Sequence, residues 1–335
     1  MSTLSSLPIE LQYQLIKTCH QSGQDILAKL SQLDRFYHQL SKPLLNSEIN
    51  LRSQDEDYNL NQLERFKFNF IPFHRLEIKS ISFKFLNHCD FRIDENLAEI
   101  LSLSGLIEKL EISYDFGNQI EENFLDTIES ISKLSHLNTL IIKGPSDSSD
   151  SNSQHQYPQV SLILKNLTNF KKLQRICFQR VQILVLPDEF NFGFDQGSID
   201  LEIIDCQFIS SSNSSNLQDL QKLKTDQIYG LNSFLKTVSV SIKSLKLINL
   251  DFLQIHLNLL EFDLPNLLNL EIDFGKLESR EEEELEKLQN QFKSICFQSL
   301  CLSHQLISLK INHQFDLNYL FEFQSFFQFQ QILYS

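Results

Sequence analysis

Leu137-Asn138-Thr139-Leu140-Ile141-Ile142 places apolar residues first, fourth and sixth in a run of six, and the phrase returns along the chain. Leu267-Leu268-Asn269-Leu270-Glu271-Ile272 and Leu306-Ile307-Ser308-Leu309-Lys310-Ile311 repeat it closely. Looser copies occupy residues 73–78, 107–112, 173–178 and 242–247, and the copy at 198–203 opens on Ser198. In most copies the last three positions alternate apolar, polar, apolar, which predicts a short strand with one buried face. One such strand cannot bury that face alone. Eight laid side by side can, so the recurrence predicts an α/β chain built as a solenoid, a curved parallel sheet with helices on its convex side.

The phrase resembles the strand segment of leucine-rich repeats, and the resemblance covers roughly residues 71–315. Between the last apolar positions, at 78, 112, 142, 178, 203, 247, 272 and 311, the intervals are 34, 30, 36, 25, 44, 25 and 39 residues. Only two lie in that family's usual span of about 20–29. The array is therefore irregular, and the long intervals are expected to hold an extra helix or a loop. Cys206, three residues beyond Ile203, is the best match to the family's asparagine or cysteine.

A chain of 335 residues exceeds what one compact core usually serves, which favours several domains or an elongated array. The net charge of -14 and the pI near 5.1 argue against a general binder of nucleic acid or anionic membranes, either of which needs surplus Lys and Arg. Six cysteines are scattered without a CxxC pair or a zinc spacing, so they read as structural thiols of a reducing compartment. No signal peptide is visible at Met1, and the most apolar window, 247–264, is interrupted by Asp251, His256, Glu261 and Asp263. The expectation is a cytoplasmic or nuclear protein.

The first fifty residues follow a different rhythm. Leucines at 4, 7, 11 and 15 have helical spacing, with Pro8 in the first turn; Gly23 breaks the pattern. Asp25 is a candidate N-cap for a second segment that runs from Ile26 through Leu30, Leu33, Phe36, Tyr37 and Leu40 to a stop at Pro43. The physical reading is a bundle of two or three short helices.

Leu7-Pro8-Ile9-Glu10-Leu11, Leu15-Ile16, Asp25-Ile26-Leu27 and Leu30 through Leu40 together resemble an F-box over about forty residues. Cys19 departs from that family's large apolar residue, and the loop 19–24 is about one residue longer than usual. The resemblance implies docking onto the Skp-type linker subunit of a cullin–RING ubiquitin ligase. By carry-over, Leu7, Pro8, Leu11, Leu15, Ile26 and Leu27 form or support that surface, with Glu10 capping or pairing nearby. The alternative from the residues themselves is a cap over the first repeat of an interaction scaffold with no link to ubiquitin. Residues 1–50 are thus an F-box-like helical domain, 51–70 a connector or degenerate first repeat, and 71–335 the irregular repeat domain with a C-terminal cap.

Helical patterns fill several intervals: Leu97, Ile100, Leu101 and Leu103; Phe124 to Leu134; Leu217 to Phe234 despite Gly230; and Leu285 to Ile295 behind an acidic start at 281–284. Residues 146–154 and 210–216 are serine-rich and read as loops, and serines beside Asp147 and Asp150 are candidate phosphate acceptors. Residues 316–335 hold five of the 28 phenylalanines and read as a cap on the final strand. No phosphate loop, G-x-S-x-G or H-E-x-x-H is present, and the adjacent His/Cys pairs, Cys19-His20 and His88-Cys89, stand isolated. The expectation is a protein that is not an enzyme and needs no cofactor.

The residues between buried apolar positions should line a concave face. Over the first four copies that face carries five basic and two acidic residues, and over the last four two basic and four acidic. Arg75, Lys79, Lys109, Lys143 and Arg175 are therefore the candidate target-binding residues, and an acidic or phosphorylated protein segment the expected target.

Overall fold

The computed structural model describes residues 8–22, 24–32, 35–52, 63–85, 91–114, 131, 134–144, 172–185, 198–210, 220–250, 264–273, 307–312 and 331–333. The chain opens with three helices, α1 (Ile9–Ser22), α2 (Gln24–Ser31) and α3 (Arg35–Leu45). They pack on Ile16, Leu30 and Tyr37, with Cys19, Leu44 and Leu45 alongside. One local expectation changes. The second helical segment is not continuous: α2 stops at Ser31, a new helix starts at Arg35, and it passes Pro43 to end at Leu45. On α1, Leu11 is 47% exposed while Ile16 is fully buried.

Ten strands form one sheet in the order β1 (Glu48–Arg52), β2 (Ser80–Phe85), β3 (Lys109–Tyr114), β4 (Thr139–Lys143), β5 (Arg175–Gln179), β7 (Ile199–Ile204), β9 (Ile242–Ile248), β10 (Asn269–Asp273), β11 (Ser308–Asn312) and β12 (Gln331–Leu333). Every pairing is parallel, and spatial order follows chain order. The two strands missing from this order, β6 (Gln182–Val185) and β8 (Gln207–Ser210), pair with each other in a separate parallel ribbon. The protein is therefore α/β with a parallel sheet. The sheet begins at Glu48, inside the segment read as helical, and its last described strand lies within the expected C-terminal cap.

The recurring phrase explains the sheet. Leu110 and Ile112, Leu140 and Ile142, Ile176 and Phe178, Leu201 and Ile203, Leu245 and Leu247, and Leu270 and Ile272 stand in register and are buried together. The first apolar position fills the turn into each strand: Ile107, Leu137 and Leu267 donate backbone N–H bonds to Ser104, Leu134 and Leu264 three residues back. One strand's entry carbonyl then accepts two N–H groups of the next, as Glu108 does from Asn138 and Thr139 at 2.8 and 3.0 Å. These bonds fix the register wherever the phrase occurs.

One copy is displaced. Phe73–Ile78 was expected to be a strand, but α4 (Ile71–His74) occupies its start, and Phe73 and Leu76 are 77% and 70% exposed. The strand instead uses Ile78, Ile81 and Phe83, all buried, as its first, fourth and sixth positions. Pro72 suits the first turn of α4, and Phe70 lies between Phe66 and His74, 5.2 and 4.5 Å from their rings.

Three strands leave the sheet through a left-handed residue: Arg180 (φ 53°), Asp205 (φ 51°) and Asn249 (φ 53°). Arg180 and Asp205 donate N–H bonds to the Ile204 and Ile248 carbonyls, and Gly144 donates to Gln179 at 2.7 Å. The residue after each left-handed position, Val181, Cys206 or Leu250, is buried. The Cys206 thiol donates to the Phe178 and Ile204 carbonyls at 3.4 and 3.3 Å. Burial pushes that thiol up to about 12.

Helix α5 (Phe91–Leu103) buries Leu97, Ile100 and Leu101 against the sheet and leaves Leu103 exposed. Helix α6 (Leu220–Val238) buries Ile228, Leu231, Phe234 and Leu235. Gly230 is accommodated because a Cβ there would come within 2.9 Å of the Phe208 Cβ on β8. Ile131 and Leu134 are buried ahead of β4. The other helix expected at 285–295, both serine-rich loops apart from Ser210, His88-Cys89 and most of the phenylalanine-rich end lie outside the described residues.

Candidate protein-interaction face

Parallel sheets are usually covered on both faces. Here the apolar positions meet the core on one side, while the intervening positions form rows on the other that, apart from Ile141 and Cys177, are partly or fully exposed where burial is described. From β2 to β11 the central row runs Ser82, Glu111, Ile141, Cys177, Glu202, Lys246, Glu271 and Lys310. The row before it runs Ser80, Lys109, Thr139, Arg175, Asp200, Ser244, Asn269 and Ser308.

The structure brings Lys109, Lys143 and Arg175 onto this face but not Arg75, which ends α4 away from the strands. Lys79 sits just ahead of β2 and contacts Glu108 at 3.1 Å, and Lys84 takes the β2 position expected for it. Both differences follow from the displaced first copy.

The basic residues of this face are ion-paired, Lys143 and Arg175 across strands and Lys109 along its own strand. Lys143 reaches Glu111 at 2.6 Å, and Lys109 lies 3.7 Å from the same carboxylate. Arg175 holds Glu202 at 2.8 Å. Farther along, Lys246 and Lys310 hold Glu271 at 3.3 and 2.9 Å. Burial alone would raise the Glu271 carboxyl, but hydrogen bonds from Lys310 and Lys246 outweigh it and keep the carboxyl below its usual range. The face thus carries two Lys–Glu–Lys groups, each with one surplus positive charge, on either side of the Arg175–Glu202 pair. Sequence counting found the charges; their pairing depends on which strand each side chain reaches.

Between these groups, Ile141 and Cys177 form an apolar stretch, 8% and 5% exposed. Burial, with Glu202 adding to it, pushes the Cys177 thiol up to about 12. That thiol stays protonated at neutral pH and is a poor nucleophile. A cavity of about 330 Å³ opens over β7 to β11, with Asp200, Glu202, Lys246, Glu271 and Lys310 in its lining. Sequence reading missed it because concavity has no periodic signal. Among the described residues, no group of three His, Cys, Asp or Glu side chains is arranged to hold a metal ion, and no helix is long and apolar enough to cross a membrane.

At the N-terminal helices, Leu7 lies outside the described residues, as does the side chain of Leu27 on α2. Pro8 is exposed, and its carbonyl accepts the N–H groups of Leu11 and Gln12 at 3.0 Å each. Glu10 is exposed in the first turn of α1, Leu15 is half-buried, and Leu11 and Ile26 are 47% and 46% exposed. The helices join the sheet through Asn46, whose amide donates to Glu77 at 2.7 Å and lies 3.1 Å from His74. That amide bond leads the effects that hold the Glu77 carboxyl below its usual range. The Ser47 carbonyl accepts both Lys79 and Ser80 N–H groups at 2.9 Å. No known family model matches the chain, and no characterised protein matches it.

Proposed function

We propose that the protein is a non-catalytic substrate receptor of a Skp–cullin–F-box ubiquitin ligase, working in the cytoplasm or nucleus. The N-terminal helices would dock a Skp-type subunit, and the open face of a leucine-rich-repeat sheet would present a protein target. The observation that carries this reading is the exposure of Leu11 and Ile26 on helices that bury Ile16, Leu30 and Tyr37. Burying the exposed half of each on a partner is worth about 0.7–1.5 kcal/mol, half of what a fully exposed side chain would gain. On the target face, an acidic or phosphorylated segment would engage Lys109, Lys143 and Arg175, with Lys79 beside them, and would compete with Glu111 and Glu202 for these cations.

The test is binding of full-length protein to a purified Skp-type subunit from its own organism. Leu11→Asp with Ile26→Asp should weaken it by more than about tenfold with an unchanged circular dichroism spectrum. No binding, or equal binding by the double variant, would sink the reading.

A second reading is a repeat scaffold whose helices only cap the sheet, and the Asn46 and Ser47 bonds into α4 and β2 favour it. Deleting residues 1–45 separates the two. A cap predicts lower stability with the same captured partners; a receptor predicts loss of the ligase subunits.

A further inference from the structure

We infer that the cavity over β7 to β11 is a bipolar peptide site, which takes a basic side chain at Asp200 and an acidic one at the Lys246–Glu271–Lys310 group. The inference rests on the reading that this face receives a protein target and specifies the chemistry of one segment of it. Three observations support it.

The first is charge matching. Glu202 is satisfied by Arg175, and Glu271 is shared by two lysines, which leaves one surplus positive charge there. Asp200 is exposed at the opposite end of the cavity, and its carboxylate is the counterpart of that surplus. A ligand of one sign would satisfy one end and be repelled at the other.

The second is size. About 330 Å³ is at the low end of ligand cavities, which suits one or two side chains of a peptide better than a cofactor.

The third is spacing. Asp200 on β7 and Glu271 on β10 are separated by β9 alone and offset by two residues along the strands, so they stand about 12 Å apart. An extended peptide crossing the strands rises about 3.3 Å per residue and alternates its side chains between faces, so charged side chains four residues apart, about 13 Å along one face, match that distance. The floor between them is the uncharged row Ser244 and Asn269, whose side chains hydrogen-bond a peptide backbone without selecting its sequence.

The experiment is selection from a random dodecapeptide phage library on immobilised full-length protein, on Asp200→Lys and on Lys310→Glu. Wild type should enrich Lys or Arg four residues from Asp or Glu. Asp200→Lys should select an acidic residue in place of the basic one, and Lys310→Glu a basic residue in place of the acidic one. Synthetic peptides of the wild-type consensus should bind each variant at least about tenfold more weakly. Wild-type enrichment of a single sign, no enrichment, or a consensus indifferent to both substitutions overturns the site. Each substitution reads a different end, so one variant that fails to fold leaves the other decisive. Skp-type binding, measured in parallel on the same proteins, reports on the ligase reading separately, because neither residue lies on the N-terminal helices.

Discussion

Gly144→Ala tests the backbone packing at the exit from β4. A Cβ at Gly144 would overlap the Arg180 carbonyl oxygen and lie 2.8 Å from its carbonyl carbon and 3.2 Å from its Cβ. Backbone cannot swing aside as a side chain can, and Arg180 is already in the left-handed region at φ 53°. Overpacking a tight site costs about 1–3 kcal/mol. Loss of the Gly144 N–H bond to Gln179 adds about 1 kcal/mol. Reduced freedom of the unfolded chain returns about 0.4–1 kcal/mol. The net loss should be about 1–3.5 kcal/mol, which lowers a urea midpoint by roughly 0.3–1.2 M at a slope near 3 kcal/mol/M. Gly105→Ala is the control, because nothing lies within 4 Å of its added Cβ; it should be neutral or stabilising by up to about 1 kcal/mol. Equal midpoints for the two variants would refute the reasoning.

Two further outcomes follow from the charged face and its thiol. The folded Glu271 carboxyl lies below its ordinary value of 4.5, so its contribution is fully present above that pH and is lost as pH falls through the lower folded value. The urea-midpoint difference between wild type and Glu271→Gln should therefore shrink from pH 6 to pH 3, and a constant difference would show that the two lysines do not stabilise the carboxylate. With its thiol near 12, Cys177 is thiolate to only about one part in 10⁴ at pH 8; in the native protein it should alkylate with iodoacetamide far more slowly than in urea, by peptide mass spectrometry, and equal rates would refute its burial.

The strand rows from β3 to β11 were legible because the phrase fixes both which residues are buried and which stand opposite. The first copy was not, because 73–78 and 78–83 both fit the template and share Ile78. Periodicity cannot choose between them; Pro72 and the ring contacts of Phe70 with Phe66 and His74 can. Strand β1 was hidden because Asn46 occupies the position where the phrase would open on an apolar residue. The basic residues of the face were readable, but their neutralisation was not. Lys143 reaches back to Glu111 on the preceding strand, a choice set by side-chain reach across the sheet rather than by spacing along the chain.

Because spatial order follows chain order, the two ends of the described chain lie at opposite edges of the sheet. Tension applied between those ends acts across the strands, so it loads one inter-strand ladder of three to six residue pairs at a time. The sheet would unzip from an edge in steps, without the simultaneous shear of many bonds that makes other β proteins stiff. Each step would release the chain between neighbouring strands, and the longest, from Leu201 to Leu245, holds 44 residues or about 150 Å when drawn out. Mechanically, the fold is an extensible tether whose give is graded by the irregular lengths between its strands.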